Sequence, residues 1–266
     1  MKKNTFEAFR KLVYDRSGIA LNESKETLLS ARLGKRMRQL GLDQAEAYLD
    51  YALTHEEEGE MVHLLDAVCT NFTHFFREPD HFTFFEEVLR KYLSQGQRSF
   101  RIWCAASSTG EEPYSLGLTM LQAIEGTTCD AKILATDLSS KVLKIAQAGC
   151  YDKEKLQSVP PALRSRYFES ARQGDHPVFQ VGSVLRQMVT FKRLNLSSPP
   201  FPMRGPLDMV FCRNVMIYFD NHVRQRLVQE IYRLLRPGGY IVVGHAESLS
   251  GLQTGFKSVR PSIYQK

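Results

Sequence analysis

The residues best suited to bind a ligand lie in the segment 101–113. An apolar run ending at Cys104 is followed by a loop of small residues, 105–110, and then by a helix start with Pro113 in its first turn. Two pairs have the spacing of a capping box: Ser108 with Glu111, and Thr109 with Glu112. Such a loop lets a ligand approach the backbone, although similar turns also occur in α/β proteins that bind nothing there.

A carboxylate follows the next apolar run. Residues 133–136 lie one predicted helix further along the chain and end at Asp137. A carboxylate at a strand tip can accept hydrogen bonds from both hydroxyls of a ribose, so the loop and Asp137 together predict a nucleoside-cofactor site. The alternative role of Asp137 is to cap the helix that starts near Ser139. Gly110 is the only glycine of the loop, which therefore does not match the dinucleotide fingerprint.

The segments that must position these residues alternate between strands and helices from residue 99 onward. Strands are predicted near 100–105, 132–137, 189–195, 208–213, 240–245 and 258–264, and helices near 111–124, 139–148, 160–169 and 221–235. This alternation predicts a mainly parallel sheet covered by helices on both faces, with ligands bound beyond the carboxyl ends of its strands. Residues 174–190 interrupt it and predict a small β insertion.

The first part of the chain predicts a small bundle of four helices. Apolar residues recur there at helical spacing, and Gly18 and Gly41 are placed to end the first two helices. We expect a helical domain at 1–70, a linker at 71–85 and an α/β domain at 86–266.

Composition narrows the class of protein. The 266 residues carry a formal net charge of +6, and the five scattered cysteines form no CxxC pair, which favours a reduced, cytoplasmic location. The histidines show no HxxxH or HExxH pattern, so no metal site is expected. No apolar run is long enough to span a bilayer, and the N-terminal residues do not resemble a signal peptide.

A basic cluster lies in the second predicted helix and consists of Arg32, Lys35, Arg36 and Arg38. A basic helix suggests an acidic partner, which could be nucleic acid, lipid headgroups or an acidic protein surface. The alternative is a solvated charged face, which is the more common role of an isolated cluster.

Three longer motifs closely resemble those of the chemotaxis-receptor glutamate methyltransferases, the CheR family. They are Asn-Phe-Thr-His-Phe-Phe-Arg at 71–77, Ser-Thr-Gly-Glu-Glu-Pro-Tyr-Ser at 108–115 and Phe-Cys-Arg-Asn-Val-Met-Ile-Tyr-Phe at 211–219. In addition, Leu-Arg-Pro-Gly-Gly at 235–239 resembles a turn common in methyltransferases that use S-adenosyl-L-methionine (AdoMet). The resemblance covers nearly the whole chain. It implies a Rossmann-like class I AdoMet-dependent methyltransferase domain, with a small all-helical N-terminal domain and the β insertion.

The resemblance also implies an activity and a set of residues. The activity is methyl transfer from AdoMet to glutamate side chains of methyl-accepting chemotaxis receptors, leaving S-adenosyl-L-homocysteine. The implied cofactor contacts are Asn71, Thr73, Arg77, Glu111, Glu112, Asp137, Asn195, Leu196, Arg213 and Asn214. Arg77 and Tyr218 would border the methyl-transfer position. The basic cluster would meet the acidic methylation helices of the receptor, and docking of a receptor C-terminal peptide on the β insertion is left open.

The implied reaction makes simple demands. A glutamate is ionised at neutral pH, because its pKa is about 4.3, so no general base is needed and positioning and desolvation supply most of the rate. Simpler roles remain for single residues. Arg77 could pair with Glu78 or Asp80, and Tyr218 could be an aromatic at the edge of the core.

Two other functions remain open. The positive net charge and the basic cluster also suggest a nucleic-acid methyltransferase. However, Asn214 is followed by Val-Met-Ile rather than by the Pro-Pro-aromatic motif of adenine-N6 enzymes, so no nucleic-acid partner is expected. The other is a non-catalytic AdoMet-binding module that docks on receptors. No direct membrane insertion is expected for any of the three.

Overall fold

The computed structural model describes residues 1–56, 59–69 and 71–266. Its first four helices are α1 (Lys3–Ser17), α2 (Glu26–Leu40), α3 (Ala45–Thr54) and α4 (Glu60–Val68). α1 and α2 end at Gly18 and Gly41, both in the left-handed conformation, which confirms the predicted helix ends. Phe9, Leu33 and Leu64 are fully buried in a separate core between these helices.

The remaining elements follow in chain order. They are α5 (Asp80–Ser94), β1 (Ser99–Cys104), α6 (Glu111–Ala123), β2 (Asp130–Asp137), α7 (Ser140–Ala148), β3 (Cys150–Tyr151), α8 (Pro161–Tyr167), β4 (Phe168–Gln173), β5 (His176–Val181), α9 (Ser183–Met188), β6 (Val189–Arg193), β7 (Leu207–Cys212), α10 (Asn221–Leu234), β8 (Leu235–Val243), β9 (Lys257–Arg260) and β10 (Ile263–Gln265). A single 3-10 turn, Met216–Tyr218, follows β7. None of the described helices has the length and hydropathy needed to cross a membrane.

The main sheet has seven strands in the order β6-β2-β1-β7-β8-β10-β9. The strands from β6 to β8 pair in parallel, whereas β10 is antiparallel to both of its neighbours. All six residues of β7 are buried, as expected for a central strand covered on both faces. This confirms the predicted mainly parallel sheet. Its strand order reverses between β1 and β7, which is where a sheet of this kind binds ligands.

The predicted β insertion is only partly correct. A three-stranded antiparallel sheet, in the order β3-β5-β4, is formed by strands within residues 150–181. The second half of the predicted segment is different, because 183–188 form α9 and the next five residues form β6 of the main sheet. Val189 and Phe191 pair with β2 and are buried against the main core, a contact that depends on the tertiary structure.

Neither predicted capping box forms. α6 starts at Glu111, and its N-cap is Gly110, which has φ +100° and offers no side chain. A Cβ atom at Gly110 would lie 2.6 Å from the Tyr151 hydroxyl and 2.9 Å from the Ala146 Cβ, so no other residue fits there without displacement. Thr109 Oγ1 instead donates to Glu111 Oε2 at 2.6 Å.

The N-terminal helices pack against the carboxyl edge of the main sheet. Ile19 forms an antiparallel bridge with Phe219, and the backbone N–H of Ala20 donates to the carbonyl of Tyr218 at 2.8 Å. The contact is close, since a Cβ atom at Gly18 would lie 2.5 Å from the Cβ of Ser197. Two parts of the chain that are about 200 residues apart are thereby joined above the strand ends.

Candidate functional site

A cavity of about 150 Å³ lies between the N-terminal helices and the carboxyl ends of β1, β2, β6 and β7. We call its sheet side the floor, which consists of Asn71, Ala105, Ala106, Ser108, Asp137, Leu138, Leu194, Asn195, Leu196, Arg213, Asn214, Val215, Tyr218 and Phe219. We call the other side the roof, which consists of Ser17, Ile19, Ala20, Leu21, Lys25, Leu28, Arg32, Val68 and Cys69.

The cavity brings together most of the site residues predicted from the sequence. Those that line it are Asn71, Arg32, Asp137, Asn195, Leu196, Arg213, Asn214 and Tyr218. The remaining predicted residues lie outside the lining, namely Thr73, Arg77, Glu111, Glu112, Lys35, Arg36 and Arg38.

Asp137 is held at the end of β2 by the backbone. Its Oδ2 accepts from the N–H of Ser108 and its Oδ1 accepts from the N–H of Ser139, both at 2.9 Å. Burial raises the pKa of Asp137, and the backbone hydrogen bonds oppose that rise. The N-cap of α7 is Ser139 rather than Asp137. Each carboxylate oxygen keeps a further lone pair, so Asp137 can still accept two ligand hydroxyls.

Arg213 is the centre of a buried ion-pair network. Its Nη1 lies 2.8 Å from Glu112 Oε2, its Nη2 lies 3.0 Å from Glu78 Oε2, and Nη2 also donates to the carbonyl of Arg77. Burial raises the pKa of Glu112 and the Arg213 charge lowers it. Arg213 Nε is buried and has no hydrogen-bond acceptor among the described residues.

The two glutamates at the start of α6 have different partners. The carboxylate of Glu111 is fully buried, with one oxygen bonded to the Lys155 ammonium and the other to the Thr109 hydroxyl. Glu112 is paired with Arg213 and accepts from the Cys104 thiol at 3.3 Å. Both carboxylates therefore bond to the protein behind the loop, and a contact between either of them and the cofactor remains a prediction.

Two predicted residues at the carboxyl end of β6 also hold the protein together. Asn195 Nδ2 donates to the carbonyl of Arg16 at 2.8 Å, and its Oδ1 accepts from the backbone and hydroxyl of Ser197. Asn195 thereby joins the floor to the end of α1. Leu196 is buried beside it and supplies apolar surface to the cavity.

Residues 71–79, in the predicted linker, pack against the α/β domain in a defined conformation. Phe76 and Glu78 have φ angles of +53° and +58°, which non-glycine residues adopt at a cost of about 1 kcal/mol or more. The Asn71 carbonyl accepts from the Ser108 hydroxyl at 3.1 Å, and the N–H of Phe76 donates to the Ser115 hydroxyl at 3.0 Å. These bonds fasten the segment to the small-residue loop and to α6.

Arg77 projects from this segment without a carboxylate partner in the described part of the chain. Its Nη1 donates to the carbonyl of Phe72 at 3.1 Å, and the guanidinium lies 5.7 Å from the Phe72 ring centroid. The alternative ion pairs do not form, since Glu78 pairs with Arg213 and Asp80 bonds to His245. The guanidinium is therefore available to an anionic group. Thr73 lies nearby and is half-buried.

Tyr218 ends the 3-10 turn after β7 and lines the cavity. Its ring also packs against the core of the N-terminal helices, so the aromatic role considered for it coexists with a position at the cavity. Its hydroxyl makes no hydrogen bond to another of the described residues, and its backbone bonds to Ala20 and Val215.

The basic cluster is divided between two roles. Arg32 donates to the carbonyls of Val68 and Cys69 and forms part of the roof, and Arg36 makes a bidentate pair with the buried Glu60. Both therefore stabilise the N-terminal helices. Lys35 and Arg38 are exposed.

Three residues beside the network lie close enough together to coordinate a metal ion. Ligand atoms of Glu78, His81 and His245 lie within 4.8 Å of one another. However, Glu78 already bonds to Arg213 and Asn214. Burial and the Arg213 charge lower the pKa of His81 to about 4. We therefore interpret the group as part of the ion-pair network, with His81 neutral.

Glu247 is a residue of the site that the sequence did not indicate. It lies after β8, outside the three motifs, and its buried carboxylate bonds to the backbone of Asn214 and Ile217. A single glutamate in an irregular segment has no spacing that would distinguish it.

The fold and the site define an AdoMet-dependent methyltransferase of class I, with a parallel sheet whose carboxyl edge carries the ligand-binding groups. The family model "CheR methyltransferase, SAM binding domain" matches residues 71–264, and "CheR methyltransferase, all-alpha domain" matches residues 4–69. The chain belongs to the CheR methyltransferase family.

Curated relatives agree over almost the full chain. A "Probable chemotaxis protein methyltransferase" of Rhizobium etli is 39% identical over 244 residues, which cover 90% of this chain and 91% of that one. "Chemotaxis protein methyltransferase 2" of Pseudomonas aeruginosa is 37% identical, covering 98% and 92%. The "Chemotaxis protein methyltransferase" of Escherichia coli is 34% identical, covering 97% and 89%.

Proposed function

We propose that this protein transfers the methyl group of AdoMet to glutamate side chains in the cytoplasmic region of chemoreceptors and forms glutamate methyl esters. The observation that carries the proposal is the cavity, where Asp137 and the Arg213 network lie at the strand ends of a CheR-family chain. A carboxylate at a strand end that can accept two hydroxyls fits the ribose of a nucleoside cofactor.

The residues of the chain divide the work of binding and transfer. When bound, AdoMet supplies an electrophilic methyl group on a sulfonium. A glutamate oxygen would accept this methyl group, and S-adenosyl-L-homocysteine would be left. Asp137 would hold the ribose hydroxyls, and Asn214 and Leu196 would line the cofactor position. The roof excludes water from the reacting groups.

Arg77 and Tyr218 are the proposed contacts of the reacting carboxylate. The Arg77 guanidinium has no carboxylate partner in the described part of the chain, and its planar fork matches the two oxygens of a glutamate. The Tyr218 hydroxyl can orient the same group. The glutamate is already ionised at neutral pH, so the site needs no base, and these two residues act by positioning.

Acidic receptor helices are the proposed partner of the exposed part of the basic cluster. Lys35 and Arg38 are exposed on α2, the helix that also carries the roof residues Leu28 and Arg32. A surface of this charge attracts a helix rich in glutamate and raises the rate of encounter. Use of a receptor C-terminal peptide at the sheet formed by β3, β4 and β5 remains a prediction.

Transfer of labelled methyl from AdoMet tests the proposal. The acceptors are receptor cytoplasmic fragments, the same fragments with glutamate-to-alanine changes at the candidate positions, and nucleic acid. We expect base-labile label on the receptor that disappears with the alanine changes. Label on nucleic acid would support a nucleic-acid methyltransferase, and AdoMet binding without transfer would support a non-catalytic module. Either result would overturn the proposal.

A further inference from the structure

The buried carboxylate of Glu247 lies at the edge of the floor without a basic partner in the described part of the chain. Its side chain is 7% exposed. Three backbone N–H groups satisfy it, because Oε2 accepts from Gly244 at 2.6 Å and from Asn214 at 2.7 Å, and Oε1 accepts from Ile217 at 3.2 Å. Three backbone donors around one carboxylate fix its position.

These bonds join two irregular segments that follow neighbouring strands. Gly244 follows β8, and Asn214 and Ile217 follow β7. The N–H of Glu247 also donates to the carbonyl of Gly244 at 2.8 Å, which closes the turn that holds the carboxylate. Glu247 therefore fixes the second segment relative to the first.

The second segment, residues 214–218, contains a residue in the left-handed backbone conformation. Asn214 has a φ of +56°, in the left-handed region. A Cβ atom at Gly244 would lie 2.4 Å from Asn214 Nδ2 and 2.9 Å from Glu247 Oε2, so the two segments touch closely. In this conformation the N–H of Asn214 points to Glu247 and donates to its carboxylate.

We propose that Glu247 is a positioning residue for methyl transfer. It holds residues 214–218 so that Asn214 faces the cofactor and Tyr218 faces the reacting carboxylate. Both residues line the cavity, and Glu247 itself does not. The inference rests on the proposed function for its effect on transfer. Its effect on AdoMet binding is independent of the acceptor.

The substitution Glu247→Gln tests this role with little change of shape. It replaces one acceptor oxygen by an amide that faces an N–H group, and it removes the charge. We expect kcat to fall at least about tenfold and the Kd for AdoMet to rise about fivefold, since one or two charge-assisted hydrogen bonds to the segment are lost.

Glu230→Gln is the matched control. Glu230 is also 7% exposed and accepts from a backbone N–H, that of Phe201 at 2.9 Å, but it lies on α10 outside the cavity lining. Thermal unfolding measures the cost in stability for both variants. Equal losses of stability accompanied by unchanged kcat and Kd in both would reduce Glu247 to a structural residue and overturn the proposal.

A double-mutant cycle separates positioning from a general loss of folded protein. If Glu247 acts through Tyr218, the double variant Glu247→Gln/Tyr218→Phe will have a kcat within about twofold of that of the less active single variant. A kcat lowered by the product of the two single effects would contradict action through Tyr218. If the wild-type protein methylates no receptor fragment, the proposed function fails. The AdoMet Kd of Glu247→Gln against Glu230→Gln then still decides whether Glu247 positions Asn214.

Discussion

The floor and the roof of the cavity are built from different interactions. Polar floor groups are fixed by backbone hydrogen bonds and by buried ion pairs, as at Asp137 and Arg213. The roof is largely apolar, with Ile19, Leu28 and Val68 among its residues. A directional floor can select a ligand by its hydrogen-bonding groups, whereas an apolar roof contributes mainly by excluding water. Substitutions on the two sides should therefore differ in size and in the quantity they change.

The largest effect is expected at Asp137. Asp137→Asn keeps the volume but replaces one acceptor by a donor and removes the charge. We expect the Kd for AdoMet, measured by calorimetry, to rise about 100-fold, because two charge-assisted hydrogen bonds to the ribose are weakened. Asp130→Asn at the other end of β2 is the control. If the Kd of Asp137→Asn rises less than fivefold, hydrogen bonds from the floor do not dominate cofactor binding.

His81 should give the floor network a distinct dependence on pH. Its folded pKa of about 4 lies below the ordinary 6.5, so between these values the unfolded chain binds more protons and stability rises with pH. The charged groups facing it are Arg213, Glu78, Asp80 and His245. Between pH 7 and pH 5 the wild type should lose about 2 kcal/mol more unfolding free energy than His81→Gln.

Denaturant unfolding at several pH values measures this difference. The control is His176→Gln, because His176 is exposed on β5. Wild type, His81→Gln and His176→Gln all contain the carboxylates of the network. The titration of these carboxylates therefore cancels when the pH dependence of stability is compared between them. Parallel stability curves for wild type and His81→Gln would show that His81 is not held neutral by the network.

Tyr218 lies where floor and roof meet, and its hydroxyl should affect transfer more than binding. We expect Tyr218→Phe to lower kcat about tenfold and to change the Kd for AdoMet less than threefold, because the hydroxyl orients the acceptor carboxylate. Tyr232→Phe, outside the cavity lining, controls for loss of a phenol. Equal kinetics for Tyr218→Phe and wild type would exclude this role.

The exposed charges of α2 should act on the receptor alone. We expect the double change Lys35→Glu and Arg38→Glu to raise the receptor KM about fivefold and to weaken its dependence on salt, with the AdoMet Kd unchanged. Reversal of the exposed Lys91 and Lys257 is the control. An unchanged KM at low salt would leave Lys35 and Arg38 as a solvated face.

The smallest effect is expected in the roof. Leu28 lines the cavity and is 40% exposed, so Leu28→Ala removes only part of a buried side chain. We expect the Kd for AdoMet to rise about threefold, which corresponds to the transfer free energy of roughly one methylene group. Leu53→Ala, at an exposed residue of α3, is the control. A loss as large as that of Asp137→Asn would erase the contrast between roof and floor.

The sequence predicted the floor better than the roof, for a physical reason. Asp137, Asn214 and Tyr218 follow apolar runs, and the ends of parallel strands meet at one edge of a sheet. The alternation of strands and helices predicted the edge at which Asp137 lies, whereas Asn214 and Tyr218 were assigned to the site by the resemblance to the CheR family. Roof residues such as Ile19 and Leu28 are single apolar residues outside the buried helical stripes, so nothing in the sequence distinguished them.

The sequence could not assign partners to the buried charges. Glu111 and Glu112 are adjacent in the chain, yet one pairs with Lys155 and the other with Arg213. These pairs join residues 44 and 101 positions apart. Only the tertiary structure defines such distances, and the same is true of Glu247.

The bridge between Ile19 and Phe219 joins the roof to the floor, so its stability should depend on whether a ligand occupies the cavity. A ligand that touches floor and roof binds best when the two are closed, so by reciprocity its binding strengthens the closure by the same factor. The amide of Ala20, which donates to the Tyr218 carbonyl, lies at this junction. Its hydrogen should exchange with solvent more slowly as cofactor saturation rises, and one backbone amide would then serve as a gauge of how much enzyme is loaded.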